Sequence, residues 1–144
     1  MTEITFHFNV PDKLDYVCRM LRKIRQFDRL AVVTGDADFL QTLDGALWKL
    51  DSQAFLGHGT DTNTAAVRRH SPVILSTLLD DASHSQVLVN VGQDVPAGFS
   101  RFVRLNEIIG LDEQDRSQGR LRWKYYAGRG YTLKKHDFAA QKAA

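Results

Sequence analysis

The residues best suited to binding chemistry lie near the carboxyl end of the chain. Between Arg116 and Lys135 there are seven Lys or Arg residues and no Asp or Glu, interleaved with the aromatic residues Trp123, Tyr125, Tyr126 and Tyr131. Residues 1–100 contain nine basic and twelve acidic residues, whereas residues 101–144 contain ten and five. A surface that combines positive charge with aromatic rings attracts anions such as nucleic-acid backbone, an acidic peptide or anionic lipid.

The spacing of these residues predicts that several of them share one face of a helix. Residues three or four positions apart are neighbours on a helix, so Arg116 and Arg120 lead to Trp123 and Lys124. The rest of an apolar pocket is expected from two residues just before the helix, Ile108 and Ile109. The alternative is a solvated helix face, since basic residues are common near helix C-termini. A basic residue as early in the helix as Arg116 favours a binding surface.

Two ligands fit such a surface. A nucleic acid would use phosphate pairing and base stacking on the aromatic side chains. An acidic peptide would place carboxylates on the arginines and a terminal apolar side chain in the pocket. The formal net charge of the whole chain is only +2, which favours the peptide slightly.

The strongest catalytic candidate is the pair Asp36 and Asp38. Both follow an apolar run, and two carboxylates at the end of a buried strand can hold Mg²⁺ for phosphoryl chemistry, which makes a Mg²⁺-dependent phosphohydrolase the weaker alternative function. The same two positions are also those of a helix N-cap and a first-turn acid. Capping is the favoured interpretation.

No other pattern indicates catalysis or a bound cofactor. The five histidines are scattered without metal-ligand spacing, and neither a dinucleotide fingerprint nor a Walker motif occurs. The sequence Gly57-His58-Gly59 is only a weak echo of a phosphate loop. We therefore predict a non-enzymatic protein with no cofactor and no metal.

Apolar strand runs alternate with helical patterns along the chain. Expected strands are Ile4–Val10, with His7 facing outward, then Leu30–Thr34, Pro72–Ser76, Gln86–Val91 and Arg101–Leu105. Expected helices begin at Pro11 or Asp12, at Asp36, and at Asp112, the last one ending near Arg129. The polar segment Gly57–Thr64 is predicted to be a loop.

This alternation predicts one α/β domain of doubly wound type over residues 1–138, with a mainly parallel sheet and helices on both faces. Residues 139–144 are predicted to be a flexible tail. The topology is expected to resemble that of nucleotide-binding domains without a nucleotide site. The first residues lack the design of a signal peptide and no run is long enough to cross a bilayer, so a cytoplasmic protein without a membrane partner is predicted.

The order of several motifs resembles the chi subunit family of bacterial DNA polymerase III holoenzyme. The motifs are Asp44-Gly-Ala-Leu-Trp48, Phe55 before a polar glycine-containing loop, Arg120-Leu-Arg-Trp123-Lys124-Tyr-Tyr126, and Gly130-Tyr131. The resemblance extends over nearly the whole chain. It implies a nucleotide-binding-like fold and a non-catalytic clamp-loader accessory subunit.

The resemblance also implies partners and the residues that bind them. Members of this family pair with the small psi subunit and bind the acidic C-terminal tail of single-stranded DNA-binding protein, so DNA is contacted indirectly. The tail site of the family corresponds to Ile109, Arg116, Arg120, Trp123 and Lys124. The psi-facing positions correspond to Trp48 and Phe55.

Overall fold

A computed structural model describes residues 2–50, 58–60, 72–77, 79 and 84–139. Its strands form one seven-stranded sheet in which every pair is parallel, in the order β3-β4-β2-β5-β6-β1-β7. The strands are β1 Glu3–Val10, β2 Ala31–Thr34, β3 His58–Thr60, β4 Val73–Leu75, β5 Val87–Asn90, β6 Arg104–Gly110 and β7 Leu133–Asp137. The helices of the described ranges are α1 Lys13–Gln26, α2 Ala37–Leu50 and α3 Glu113–Gly128, with a 3₁₀ turn at Phe99–Arg101.

The helices cover both faces of the sheet. Apolar side chains of α1 and α2 form one core with Val33, Val89 and Ile108. Tyr126 of α3 belongs to a second core with Val32 and Leu88, the neighbouring residues in the same strands. Because successive side chains of a strand point to opposite faces, α3 lies on the face opposite α1 and α2. The predicted doubly wound α/β fold with helices on both faces is confirmed.

The predicted helix starts are also confirmed, and each has a carboxylate cap. The side chain of Asp12 accepts a hydrogen bond from the backbone N–H of Asp15 at 3.1 Å, and Asp112 accepts one from Asp115 at 3.3 Å. Each bond satisfies one of the donors that a helix N-terminus leaves unpaired. The end of α3 at Gly128 also lies next to the predicted end.

Three predictions about strands were wrong. Within the predicted loop Gly57–Thr64, residues His58–Thr60 form the short strand β3, because their backbone pairs with β4 at the edge of the sheet. The strand predicted at Arg101–Leu105 begins at Arg104 and continues to Gly110, and the 3₁₀ turn at Phe99–Arg101, entered through Gly98 at φ +90°, occupies the preceding residues. Strand β7 was missed altogether.

The prediction that His7 faces outward was also wrong. Strand β1 lies inside the sheet between β6 and β7, and α1 covers the face to which His7 points. The imidazole is half-buried, with Nδ1 2.6 Å from the Tyr16 hydroxyl and Nε2 2.9 Å from Asn106 Oδ1. A strand covered on both faces places its polar residues inside the protein as well as its apolar ones.

No helix in the described ranges has the length and apolar character needed to cross a membrane.

Candidate functional site

Helix α3 is anchored to the sheet through a narrow face. Its buried residues are Asp115, Gly119, Arg122 and Tyr126, which recur at helical spacing. Gly119 lies against Ile109 of β6, and a Cβ atom at position 119 would be only 2.6 Å from Ile109 Cδ1. The glycine is therefore required for close packing. Ile109 is 4% exposed and packs beneath the helix, whereas Ile108 belongs to the core on the other face of the sheet, so the two do not line one pocket.

Arg122 is a buried member of the basic stretch and takes no part in its surface. Its Nε donates to Glu107 Oε1 at 2.8 Å and its Nη1 donates to the Gln93 carbonyl at 2.8 Å. The Glu107 carboxylate also accepts from the Tyr126 hydroxyl at 2.6 Å and from Asn90 Nδ2 at 3.0 Å. This network fixes the rotation of α3 about its axis, and thereby decides which basic residues face solvent.

Burial dominates the titration of this network. It raises the pKa of the Glu107 carboxyl, while the Arg122 guanidinium and the donors Tyr126 and Asn90 lower it by stabilising the charged form. Burial, together with the neighbouring Glu107, also raises the pKa of the Tyr126 phenol. Removal of Arg122 would leave the buried Glu107 carboxylate without its only cationic partner in the network.

The opposite side of α3 presents a row of cations. Arg116, Arg120 and Lys124 are exposed and lie on successive turns. Arg120 pairs with Glu113 at 3.0 Å, with side chains 63% and 76% exposed, and Arg116 Nη2 donates to Asn9 Oδ1 at 2.7 Å. An exposed ion pair of this kind stabilises a protein by about 0–1 kcal/mol, so a ligand carboxylate can replace Glu113 at small cost.

Trp123 lies at the border between this row and the core. Its indole is half-buried and meets the Phe6 ring edge to face, with centroids 5.0 Å apart. On the strand beside it, Lys135 of β7 holds its Nζ 5.2 Å from the Trp123 ring centroid. A cation of β7 therefore lies over the indole, and Arg120 is its helical neighbour on α3, three residues earlier. We call Arg116, Arg120, Trp123, Lys124 and Lys135 the α3 surface.

Comparison with known proteins adds an independent observation. The family described as DNA polymerase III chi subunit, HolC, matches this sequence over residues 1–134. The chain belongs to this family. A relative named DNA polymerase III subunit chi, from Pseudomonas aeruginosa strain PAO1, is 26% identical over 142 residues, which cover 94% of this chain and 96% of the relative. The resemblance seen in the motifs is confirmed, and the chain is a chi-family subunit of a replicative polymerase.

The psi-facing positions predicted for this chi-family chain cannot be placed in the same detail. The backbone of Trp48 belongs to the last turns of α2, but its side chain lies outside the described part of the structure. Phe55 is also outside the described residues. Both remain predictions.

The two aspartates considered for catalysis have a structural role. Helix α2 begins at Ala37, directly after Asp36, and Asp36 Oδ1 accepts a hydrogen bond from the backbone N–H of Asp38 at 3.3 Å. Asp36 borders a cleft of about 400 Å³ at the carboxyl ends of β2 and β5. Among the described residues no group of three His, Cys, Asp or Glu side chains could hold a metal ion. The geometry supports capping as the role of Asp36.

Proposed function

We propose that this chi-family chain is a non-catalytic accessory subunit that connects the clamp loader, through psi, to single-stranded DNA-binding protein. It would do so by holding the acidic C-terminal tail of that protein on the α3 surface. The observation that carries the proposal is the row of exposed Arg116, Arg120 and Lys124 beside the half-buried Trp123. The contact with psi is assigned to Trp48 and Phe55.

The chemistry of the α3 surface suits the end of an acidic chain. A guanidinium binds a carboxylate through two parallel hydrogen bonds, which are stronger than those between neutral groups. A terminal apolar side chain of the tail would lie against the half-buried indole of Trp123, and Ile109 would support α3 from beneath. Lys135, over the indole, and Arg120, its neighbour on the helix, would then meet the carboxylates that flank this side chain.

The first test is charge reversal at the centre of the row. Arg120→Glu should weaken binding of a short acidic peptide that ends in phenylalanine by about 1–3 kcal/mol, or about fivefold to 150-fold, because a charge-assisted contact is lost. Isothermal titration calorimetry of the full chain measures this change directly. Removing the terminal phenylalanine from the peptide should weaken binding to the wild-type chain as well.

Arg19→Glu is the matched control for this test. Arg19 also forms an exposed ion pair, with Asp15 at 3.0 Å, but it lies on α1 on the opposite face of the sheet. Arg19→Glu should therefore leave the affinity for the peptide unchanged. Equal affinities for wild type and Arg120→Glu, or equal losses in the two variants, would exclude α3 as the binding surface.

A second prediction concerns Lys135, which the sequence did not identify. Lys135→Gln should reduce peptide affinity about twofold to fivefold, the effect of one partly screened charge at a surface site. Its neighbour Lys134 points to the other face of β7 and pairs with Glu3, so Lys134→Gln should have no effect on the peptide. The same titration measures both variants, and a loss confined to Lys134→Gln would contradict the assignment of Lys135.

A further inference from the structure

A second basic surface lies on the face of the sheet opposite the α3 surface. From residue 19 to residue 29 the chain contains five Lys or Arg residues and one Asp. Favourable interaction with the helix dipole explains basic residues only in the last turn of α1. Arg19, Arg22 and Lys23 are exposed on α1, and Arg29 is exposed just beyond it. The proposed function uses none of these residues.

These cations border a groove of about 610 Å³. The groove runs between the carboxyl-terminal half of α1 and the amino-terminal parts of β1 and β6. Among the described residues that line it, four are cationic, Arg19, Lys23, Arg29 and Arg104, and one is acidic, Glu3. Glu3 is paired with Lys134, and Arg19 forms an exposed ion pair with Asp15 that a phosphate can replace at small cost. Its volume is within the range of ligand-binding clefts, and its charge selects an anion.

In the part of the groove that the structure describes, the floor is made of hydrogen-bonded polar side chains and not of acids or lysines. His7, Tyr16 and Asn106 lie in the floor and hydrogen-bond to one another through the two ring nitrogens of His7. Burial keeps this imidazole neutral near pH 7 because it lowers the pKa of His7 to about 4. The cationic side chains at the rim of the groove are therefore the groups that would bind the charge of an anionic ligand. At the end of α1, Phe27 lines the same groove with 66% of its surface exposed.

We propose that this groove binds single-stranded DNA, with phosphates on the cationic rim and a base stacked on Phe27. A positively charged groove combined with an exposed aromatic ring is the arrangement by which proteins hold single strands without reading their sequence. The α3 surface has one indole with a lysine over its ring, which suits a compact chain end. In this groove the cations are distributed along the rim, which suits a repeating phosphate backbone. The site is separate from the α3 surface and does not depend on the proposed tail binding.

The test measures binding of a fluorescent oligothymidine of about 15 nucleotides to the full chain by anisotropy, over a series of salt concentrations. Four phosphate contacts predict a slope of about −3 for the logarithm of the association constant against the logarithm of salt concentration. The double substitution Lys23→Gln and Arg29→Gln should change this slope to about −1.5. Phe27→Ala should weaken binding about fivefold or more through lost stacking. All three side chains are exposed, so the variants should fold normally.

Arg120→Gln is the control on the other face. Arg120→Gln should leave the salt slope for oligothymidine binding unchanged and should lower the affinity for the acidic peptide. The groove variants should alter oligothymidine binding and leave the affinity for the peptide unchanged. Absence of oligothymidine binding at low salt would overturn the proposal. A salt slope that changes in Arg120→Gln and in none of the groove variants would also overturn it, because the DNA would then be bound on α3. Groove variants that weaken the acidic peptide and leave oligothymidine unaffected would instead identify a peptide as the occupant.

Discussion

Arg122→Met should lower the free energy of unfolding by about 3–5 kcal/mol at pH 7, because it removes one partner of a fully buried ion pair. Methionine fills much of the space of the arginine stem but supplies no charge. The Glu107 carboxylate would remain fully buried with only the Tyr126 hydroxyl and Asn90 amide as donors. An uncompensated buried charge is much costlier than the loss of an exposed pair. Urea unfolding followed by circular dichroism measures the difference.

The pH dependence and the double variant separate charge from packing. Burial raises the pKa of Glu107 above its ordinary value of 4.5, and loss of Arg122 raises it further. A carboxyl with a raised pKa contributes its full stability below the unfolded pKa of about 4.5, and this stability is lost as the pH rises toward the folded pKa. The deficit of Arg122→Met should therefore grow as the pH rises above about 4.5. Adding Glu107→Gln should restore part of the loss. Arg120→Met, at an exposed pair, should change stability by less than about 1 kcal/mol. A deficit independent of pH, with no recovery in the double variant, would assign the effect to packing alone.

The exposed position of Arg120 could be predicted from the sequence, whereas the buried position of Arg122 was not predicted. The exposed row was predictable, because Arg116, Arg120 and Lys124 repeat at helical spacing. Arg122 belongs to the same basic stretch, yet its side chain points into the protein. An α-helix turns by about 100° per residue, so Arg122 lies about 200° around the helix axis from Arg120. A signal was present, since position 122 falls on the same face as Gly119 and Tyr126. The acidic partner, Glu107, is the one acid in β6 and directly precedes the apolar pair Ile108 and Ile109, and such an isolated acid indicates a buried ion pair.

Features made by pairing between distant segments were not predictable. The sequence of β7, Leu-Lys-Lys-His-Asp, has no apolar alternation, and it forms a strand only because β1 offers a free edge. Lys135 reaches Trp123 as a consequence of that pairing. The groove on the other face has the same origin, because Arg104 joins cations of α1 that are about 80 positions earlier in the chain. The apolar periodicity of each segment predicted most of the helices and strands. It did not predict which strands pair with β1, because that pairing joins segments far apart in the chain.

His7 also owes its environment to those neighbours. Helix α1 contributes Tyr16, β6 contributes Asn106, and β7 contributes His136, whose ring centroid is 5.2 Å from that of His7. Burial is the main cause that lowers the pKa of His7 from 6.5 to about 4, the Asn106 hydrogen bond opposes it, and the charge of His136 adds to it. The folded protein therefore keeps this imidazole neutral over a range of pH in which the unfolded chain takes up a proton.

Stability should consequently fall as pH decreases from about 6.5 to 4, because the unfolded state binds more protons than the native state in this window. At 1.36 kcal/mol for each unit of pKa shift, His7 should lower the free energy of unfolding by about 3 kcal/mol once the pH is below its pKa in the folded protein. Glutamine at position 7 can donate to Asn106 and accept from Tyr16 without titrating, so His7→Gln should flatten the profile by up to that amount. Urea unfolding of both proteins at a series of pH values isolates the effect of His7, since carboxylates that protonate at low pH contribute equally to each. Parallel profiles would mean that the imidazole titrates normally, and that α1 does not seal this side of the sheet as tightly as its contacts with His7 indicate.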